Sequence, residues 1–148
     1  MLTESYRELL STGEPFWQLE KENWRTFDDD VYANPDTIGQ CVFLTHLEAE
    51  IIGFSSFDPR GEPLFGVIGH NRILPRFRGQ GFGRQQVLET LRRLKMRGIR
   101  KAVVSTSEHP FFIPARRMYV ACGFRETKRC AGRSHFAYQN IEFEKELK

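Results

Sequence analysis

This sequence of 148 residues predicts an α+β fold in α/β/α layers, a mixed, largely antiparallel sheet flanked by helices. The first observation behind that is the order of its periodic segments, α-α-β-β-β-α-β-α-β-β. The second is composition: 40% hydrophobic and 13% aromatic residues belong to a packed core rather than a disordered chain. The third is punctuation, because glycine, proline and acidic turns separate nearly every pair of segments.

In chain order, residues 3–12 read as a short helix with Thr3 as N-cap and Tyr6, Leu9 and Leu10 on one side. Gly13-Glu14-Pro15 breaks it, and 16–27 read as a second helix with Phe16, Leu19, Trp24 and Phe27 as its apolar stripe. Asp28-Asp29-Asp30 then falls at a negative helix end, either awaiting a cation or, more ordinarily, in a solvated loop. Segments 41–47 and 51–57 pair as strands around Glu48-Ala49-Glu50, and Asp58-Pro59-Arg60-Gly61 is a turn. The next strand, 65–74, runs into Pro75 and then Gly79, Gly81 and Gly83. Val87, Leu88, Leu91 and Leu94 follow at helical spacing, with Gly98 as the stop. Residues 101–107 are a buried-type strand, Pro114 opens a helix that Gly123 ends, and 124–128 and 136–143 are the last strands.

The length fits one domain over 1–148. No apolar run approaches the roughly 18 residues of a membrane span, and the first residues do not read as a signal peptide. Cys41, Cys122 and Cys130 make no C-x-x-C pair, so neither a disulfide nor a metal site is expected and a cytoplasmic setting fits best. The formal charge of +3 conceals a division. Residues 1–62 carry 13 Asp/Glu against four Lys/Arg, a net −9, and residues 63–148 carry 18 Lys/Arg against six acids, a net +12. Such a chain can hold a polyanion on one side and a cation on the other, or the halves can simply attract each other.

The glycine segment concentrates the chemistry. The first turn of a helix presents unpaired N–H groups and a positive dipole end, which suit an anion. Arg78 and Arg84 crowd that end where acids would be favoured, so either a bound polyanion or a solvated basic surface explains them. The spacing is neither a P-loop, which needs Lys-Ser or Lys-Thr, nor the dinucleotide G-x-G-x-x-G. Arg78-Gly79-Gln80-Gly81-Phe82-Gly83 instead resembles the acyl-CoA signature R-x-x-G-x-G/A of the general N-acetyltransferase (GNAT) superfamily. Ile73 and Pro75 fit its extended form, and Ala115-Arg116-Arg117-Met118-Tyr119-Val120-Ala121-Cys122-Gly123-Phe124 matches a second element, A-x-x-[LM]-Y-x-x-x-G-F. The resemblance runs from about Val42 to the end. Members usually begin with a strand before the first helix, so that strand is expected to be absent or cut away here.

The resemblance implies acetyl-CoA as acyl donor, with no metal. The strands 65–74 and 101–107 would part at their C-terminal ends, with the pantetheine arm bonded near Ile73 and Leu74. The pyrophosphate would lie on Gln80, Gly81, Phe82, Gly83 and Arg84, with Gly79 and Gly81 giving clearance and Arg78 or Arg84 meeting the phosphates. Transfer to an amine needs a proton removed, an oxyanion stabilised and the thiolate protonated. Tyr119 falls on the position assigned the last task, or else is a core aromatic. Glu108 is the first candidate base and His70 the second, with a water chain as the alternative. Phe112 replaces an Asn often found before the second motif, so Phe111 and Phe112 are expected to shape an acceptor pocket.

The expected activity is therefore direct acetylation of a primary amine of a small molecule or peptide, with a homodimer admitted. A non-catalytic acyl-CoA binding or sensing domain would keep the glycine turn without needing Tyr119 or a base. A nucleic-acid module, raised by Arg92, Arg93, Lys95, Arg97, Arg100 and Lys101, is disfavoured because aromatic interleaving is missing. No nucleic-acid or membrane partner is expected.

Overall fold

The computed structural model describes residues 1–132 and 137–148. The first predicted helix is two short ones, α1 (Leu2–Ser5) and α2 (Arg7–Ser11), separated at Tyr6, whose backbone leaves the helical region at φ −114° and ψ 16°. α1 is capped at Met1 rather than Thr3. The next helix, α3 (Pro15–Ala33), begins on a proline and runs further than its apolar stripe predicts. It therefore carries Asp28, Asp29 and Asp30 as an exposed helical face instead of a loop. Its buried residues are Trp17 and Trp24, seven apart, while Leu19 is exposed.

Strands β1 (Val42–Leu47), β2 (Glu50–Asp58) and β3 (Gly66–Ile73) form an antiparallel meander. A helix, α4 (Phe82–Met96), crosses over to β4 (Lys101–Ser107), which lies parallel to β3. Helix α5 (Ile113–Ala121) leads to β5 (Arg125–Cys130) and β6 (Asn140–Glu146). The six strands make one sheet in the order β1-β2-β3-β4-β6-β5, with every neighbouring pair antiparallel except β3 and β4. The α+β class with a mixed, largely antiparallel sheet is thus the observed one. The predicted last strand at 136–143 starts at Asn140 instead, and its Phe136 lies outside the described residues.

Two apolar clusters divide the core. One holds Val87, Leu91 and Leu94 of α4 with Ile68, Val104, Tyr119 and Phe143. The other joins Leu2, Tyr6, Leu9, Trp17 and Trp24 of the first three helices to Phe54 of β2 and to Phe112. Leu88, predicted on the buried stripe of α4, is exposed, and Gln86 and Thr90 are buried on that helix instead.

Those two polar side chains tie α4 to the sheet. Gln86 Nε2 donates to Thr45 Oγ1 at 2.7 Å and to the carbonyl of Arg72 at 3.3 Å. Thr90 Oγ1 donates to the Gln86 carbonyl at 3.0 Å and lies 3.1 Å from Ser55 Oγ, which itself donates to the His70 carbonyl at 3.0 Å. Buried polar groups are tolerated when bonded, and these fix the start of α4 relative to the end of β3. The basic outer face of α4 is occupied within the fold: Arg92 and Arg93 both donate to Glu89, and Arg97 lies over the Phe57 ring.

Candidate functional site

The sheet opens at its middle. β3 and β4 pair only through Gly66–Ala102, Val67–Val103 and Ile68–Val104. Beyond those, β3 stays with β2 as far as Ile73, and β4 stays with β6 as far as Ser107. Two adjacent strands thus part while each keeps its outer partner, leaving a wedge with unpaired edges facing inward.

At the mouth of the wedge stands the glycine turn. Pro75–Phe77 make one 3₁₀ turn, Arg78 is extended, and Gly81 caps α4. Gly79 and Gly81 adopt φ of 76° and 88°, a region L-residues with side chains avoid. A Cβ at either would meet no protein atom within 4 Å, so within the chain itself it is backbone conformation that calls for glycine there. Gly83 has the opposite reason, since its Cβ would stand 3.3 Å from Met118 Sδ of α5. Gln85 N–H is bonded to the Gly81 carbonyl, so the amides of Phe82, Gly83 and Arg84 precede the first intrahelical bond. The first turn holds no acidic residue.

A cleft of about 500 Å³ runs from this turn along Asn71, Arg72 and Ile73 at the end of β3 to the start of α5, while Ser105, Thr106 and Ser107 of β4 line the neighbouring cavity. Of the sequence-predicted residues, Ile73, Arg78, Gly79, Gly81, Phe82, Gly83 and Arg84 line it, and Leu74 and Gln80 do not. Leu74 N–H is engaged with the Ile52 carbonyl at 2.8 Å. Arg78 turns its guanidinium inward, donating to the carbonyls of Ile73 at 3.2 Å and Ser5 at 2.6 Å. It therefore clasps α1 to the end of β3, and Arg84 on the first turn of α4 and Arg117 of α5 are exposed cations that line the cleft.

On the other side lies a smaller cavity of about 250 Å³ walled by Phe16, Trp17, Trp24, His70, Thr106 and Tyr138. Tyr6, Arg72 and Phe112 line both cavities and form the seam between them. Phe112 thus shapes both spaces, while Phe111 lines the larger one.

The three predicted catalytic residues are not brought to one point. Tyr119 is buried, its ring 5.8 Å from that of Phe124 and 6.2 Å from that of Phe143, and it lines neither cavity. Burial pushes its phenol above the ordinary value, with the nearby Arg72 charge working against that rise. His70 lines the smaller cavity, edge-on to Phe27 at 4.6 Å, and burial lowers its pKa to about 4. Glu108 stands outside both linings, and its carboxylate accepts from Arg129 at 3.1 Å.

Sequence reasoning missed two polar residues in the wedge. Asn71 donates to the Gly83 carbonyl at 3.3 Å and lines the larger cavity with its Oδ1 buried and unbonded. Arg72 has an enclosed guanidinium whose pKa burial lowers to about 10. The one available signal was the polar run His70-Asn71-Arg72 at the end of a strand that begins apolar, which spacing alone does not orient. Among the described residues, no group of His, Cys, Asp and Glu is arranged to hold a metal, and no helix is long and apolar enough to cross a membrane.

Known proteins share this fold. A family model described as the acetyltransferase (GNAT) family matches residues 3–124. No curated protein matches the chain in sequence. Among solved structures, Ard1 from Thermoplasma volcanium is similar with a TM-score of 0.69 at 13% identity, over 80% of this chain and 78% of that one. The yncA protein from Salmonella typhimurium, solved with its cofactor acetyl-CoA, gives 0.68 at 15% identity, over 81% and 73%. The ribosomal-protein-S18-alanine N-acetyltransferase from Escherichia coli gives 0.60 at 15%, over 72% and 68%. At such identities the likeness is one of fold.

Proposed function

The chain belongs to the acetyltransferase (GNAT) family, and we propose that it transfers the acetyl group of acetyl-CoA directly to a primary amine of a small molecule or peptide within a ternary complex. The observation that carries this is the cleft at the end of β3, past the point where β3 leaves β4, which is lined by the glycine turn with its unpaired amides. The coenzyme fits these residues. The amides of Phe82, Gly83 and Arg84 would take the pyrophosphate with Arg84 beside them. With the Ile73 carbonyl held by Arg78, Asn71, which lines the cleft and has an unbonded Oδ1, would meet the amides of the pantetheine arm beside Ile73.

In the transfer, the amine loses a proton and its nitrogen attacks the thioester carbonyl carbon. A C–N bond forms, the C–S bond breaks as the oxyanion collapses, and the departing thiolate takes a proton from the Tyr119 hydroxyl. The raised pKa of Tyr119 keeps that proton in place at neutral pH. For the amine proton, His70 faces the smaller cavity and is carried forward ahead of Glu108, whose carboxylate is held by Arg129. An imidazole of pKa about 4 is neutral at pH 7 but a weak base, so a water relay from His70 to solvent suits it better than full proton capture.

A second reading rests on one observation: Tyr119 is enclosed in the core and lines neither cavity. On that reading the chain binds acyl-CoA without turning it over. Titration calorimetry with acetyl-CoA and thiol release across amines, polyamines, amino acids, aminoglycosides and peptides separate the two. Binding with release supports transfer, binding without any release supports the second reading, and no binding removes both.

A further inference from the structure

Arg72 is a partly buried cation that the fold does not neutralise. Its guanidinium lies over the Tyr6 ring at 4.5 Å, and its NH1 donates to the Asn71 carbonyl at 3.2 Å. Its Nε is buried without a hydrogen-bond partner. Among the described residues no carboxylate forms an ion pair with it, and the ionisable groups acting on it are Arg78, a like charge, and Tyr119, a neutral phenol. A buried charge in that state is costly unless something supplies the missing anion. Because Arg72 lines both cavities, that anion would sit at their seam.

The shape of the seam narrows the choice. A guanidinium fork matches a carboxylate through paired N–H donors. In an α-amino acid the amine is one carbon away from the carboxylate, so a carboxylate on Arg72 sets the amine where the larger cavity would deliver a thioester. The side chain is then left to the smaller cavity, where Phe16, Trp17 and Trp24 face a polar side formed by His70, Ser105, Thr106 and Ser107. In a peptide acceptor the same position is an uncharged amide and leaves Arg72 unpaired.

Resting on the transfer reading above, we propose that the acceptor is a free α-amino acid whose carboxylate is held by Arg72 at the seam and whose side chain occupies the smaller cavity. The test is thiol release from acetyl-CoA by the full chain over the twenty L-amino acids, their C-terminal amides and the matching decarboxylated amines. At least one amino acid should exceed its own amide in kcat/KM by about 100-fold, the scale of one lost charge-assisted contact. In Arg72→Gln that ratio should collapse toward one, mainly through a higher KM for the amino acid.

Calorimetric titration of the preferred amino acid and its amide into the wild-type protein with coenzyme A needs no variant, and should register the acid alone. Equal turnover or equal binding of acid and amide overturns the proposal, as does a ratio that survives Arg72→Gln in folded protein. Acetylation of carboxylate-free amines only also overturns it while leaving the transfer reading intact. Failure of acetyl-CoA to bind at all overturns both.

Discussion

The Arg72 guanidinium lies over the Tyr6 ring, its carbon 4.5 Å from the ring centroid. A residue between two short N-terminal helices thereby covers a cation at the open end of β3, and the same ring stacks on Trp24 at 4.6 Å. The wall of the site and the N-terminal core are one structure.

Tyr6→Ala should therefore disturb both. Deleting a buried aromatic ring costs about 3–5 kcal/mol, read as a lower urea midpoint at unchanged slope. Tyr6→Phe keeps the ring over Arg72 and is expected to leave the midpoint within about 1 kcal/mol of wild type. An equal loss in both variants would show that the hydroxyl, not the ring, matters.

Gly81→Val tests the anion turn. With φ of 88° the position strains any branched residue, while the space around it is open. A folding loss of about 1–2 kcal/mol should accompany a drop of at least about tenfold in acetyl-CoA affinity, equivalent to about 1.4 kcal/mol, measured by calorimetry. Unchanged affinity in a folded variant would detach the coenzyme from this turn.

Tyr119→Phe separates acid from core aromatic. Loss of a general acid lowers kcat by about 10²-fold or more with acetyl-CoA affinity kept, since Tyr119 lines neither cavity. An unaltered kcat would leave it as packing against Phe124 and Phe143.

His70 sets a pH dependence of stability. The unfolded imidazole takes a proton near its ordinary 6.5, whereas the folded one, desolvated by burial, refuses it down to about 4. The unfolded state then binds more protons in that window, so stability is full above about 6.5 and falls as pH drops toward 4. The loss at pH near 4.5 is about 2.5 kcal/mol. Urea unfolding at pH 7 and 4.5 should show a smaller difference in His70→Gln than in wild type, and equal differences would refute the assignment.

Gly53→Ala probes the closeness of β2 and β3 beside the site. Its Cβ would collide with the Arg72 carbonyl oxygen and come within 2.6 Å of Ile73 Cδ1. Overpacking of this kind costs about 1–3 kcal/mol, and a folded variant should also bind acetyl-CoA more weakly because Ile73 lines the cleft.

Much of this was readable from neighbours in the chain. The glycine spacing at 79, 81 and 83, the apolar recurrence after it and Gly98 are local signals, and the turn and α4 follow from local backbone preference. The order of elements likewise constrained the sheet to a mixed one. Local pattern misjudged α1 and α2, where a continuous apolar side concealed the break at Tyr6, and α3, where three aspartates stayed helical because their side chains simply face solvent.

Partnership between distant residues is another matter, and the site consists of it. Arg78 reads as a phosphate ligand by motif and lines the cleft, and only the fold adds that its guanidinium reaches the Ser5 carbonyl, 73 residues away. Glu108 is the first candidate base by its place at the end of a strand, and its carboxylate is held by Arg129, 21 residues on. Arg72 was one arginine in a basic half, and only packing partly buried it without a counter-charge. Spacing along a chain encodes backbone conformation and which face is apolar, because those forces act over a few residues. Whether a charge meets water, a carbonyl or nothing depends on contacts that exist only once the sheet has parted and the N-terminal helices have closed over it.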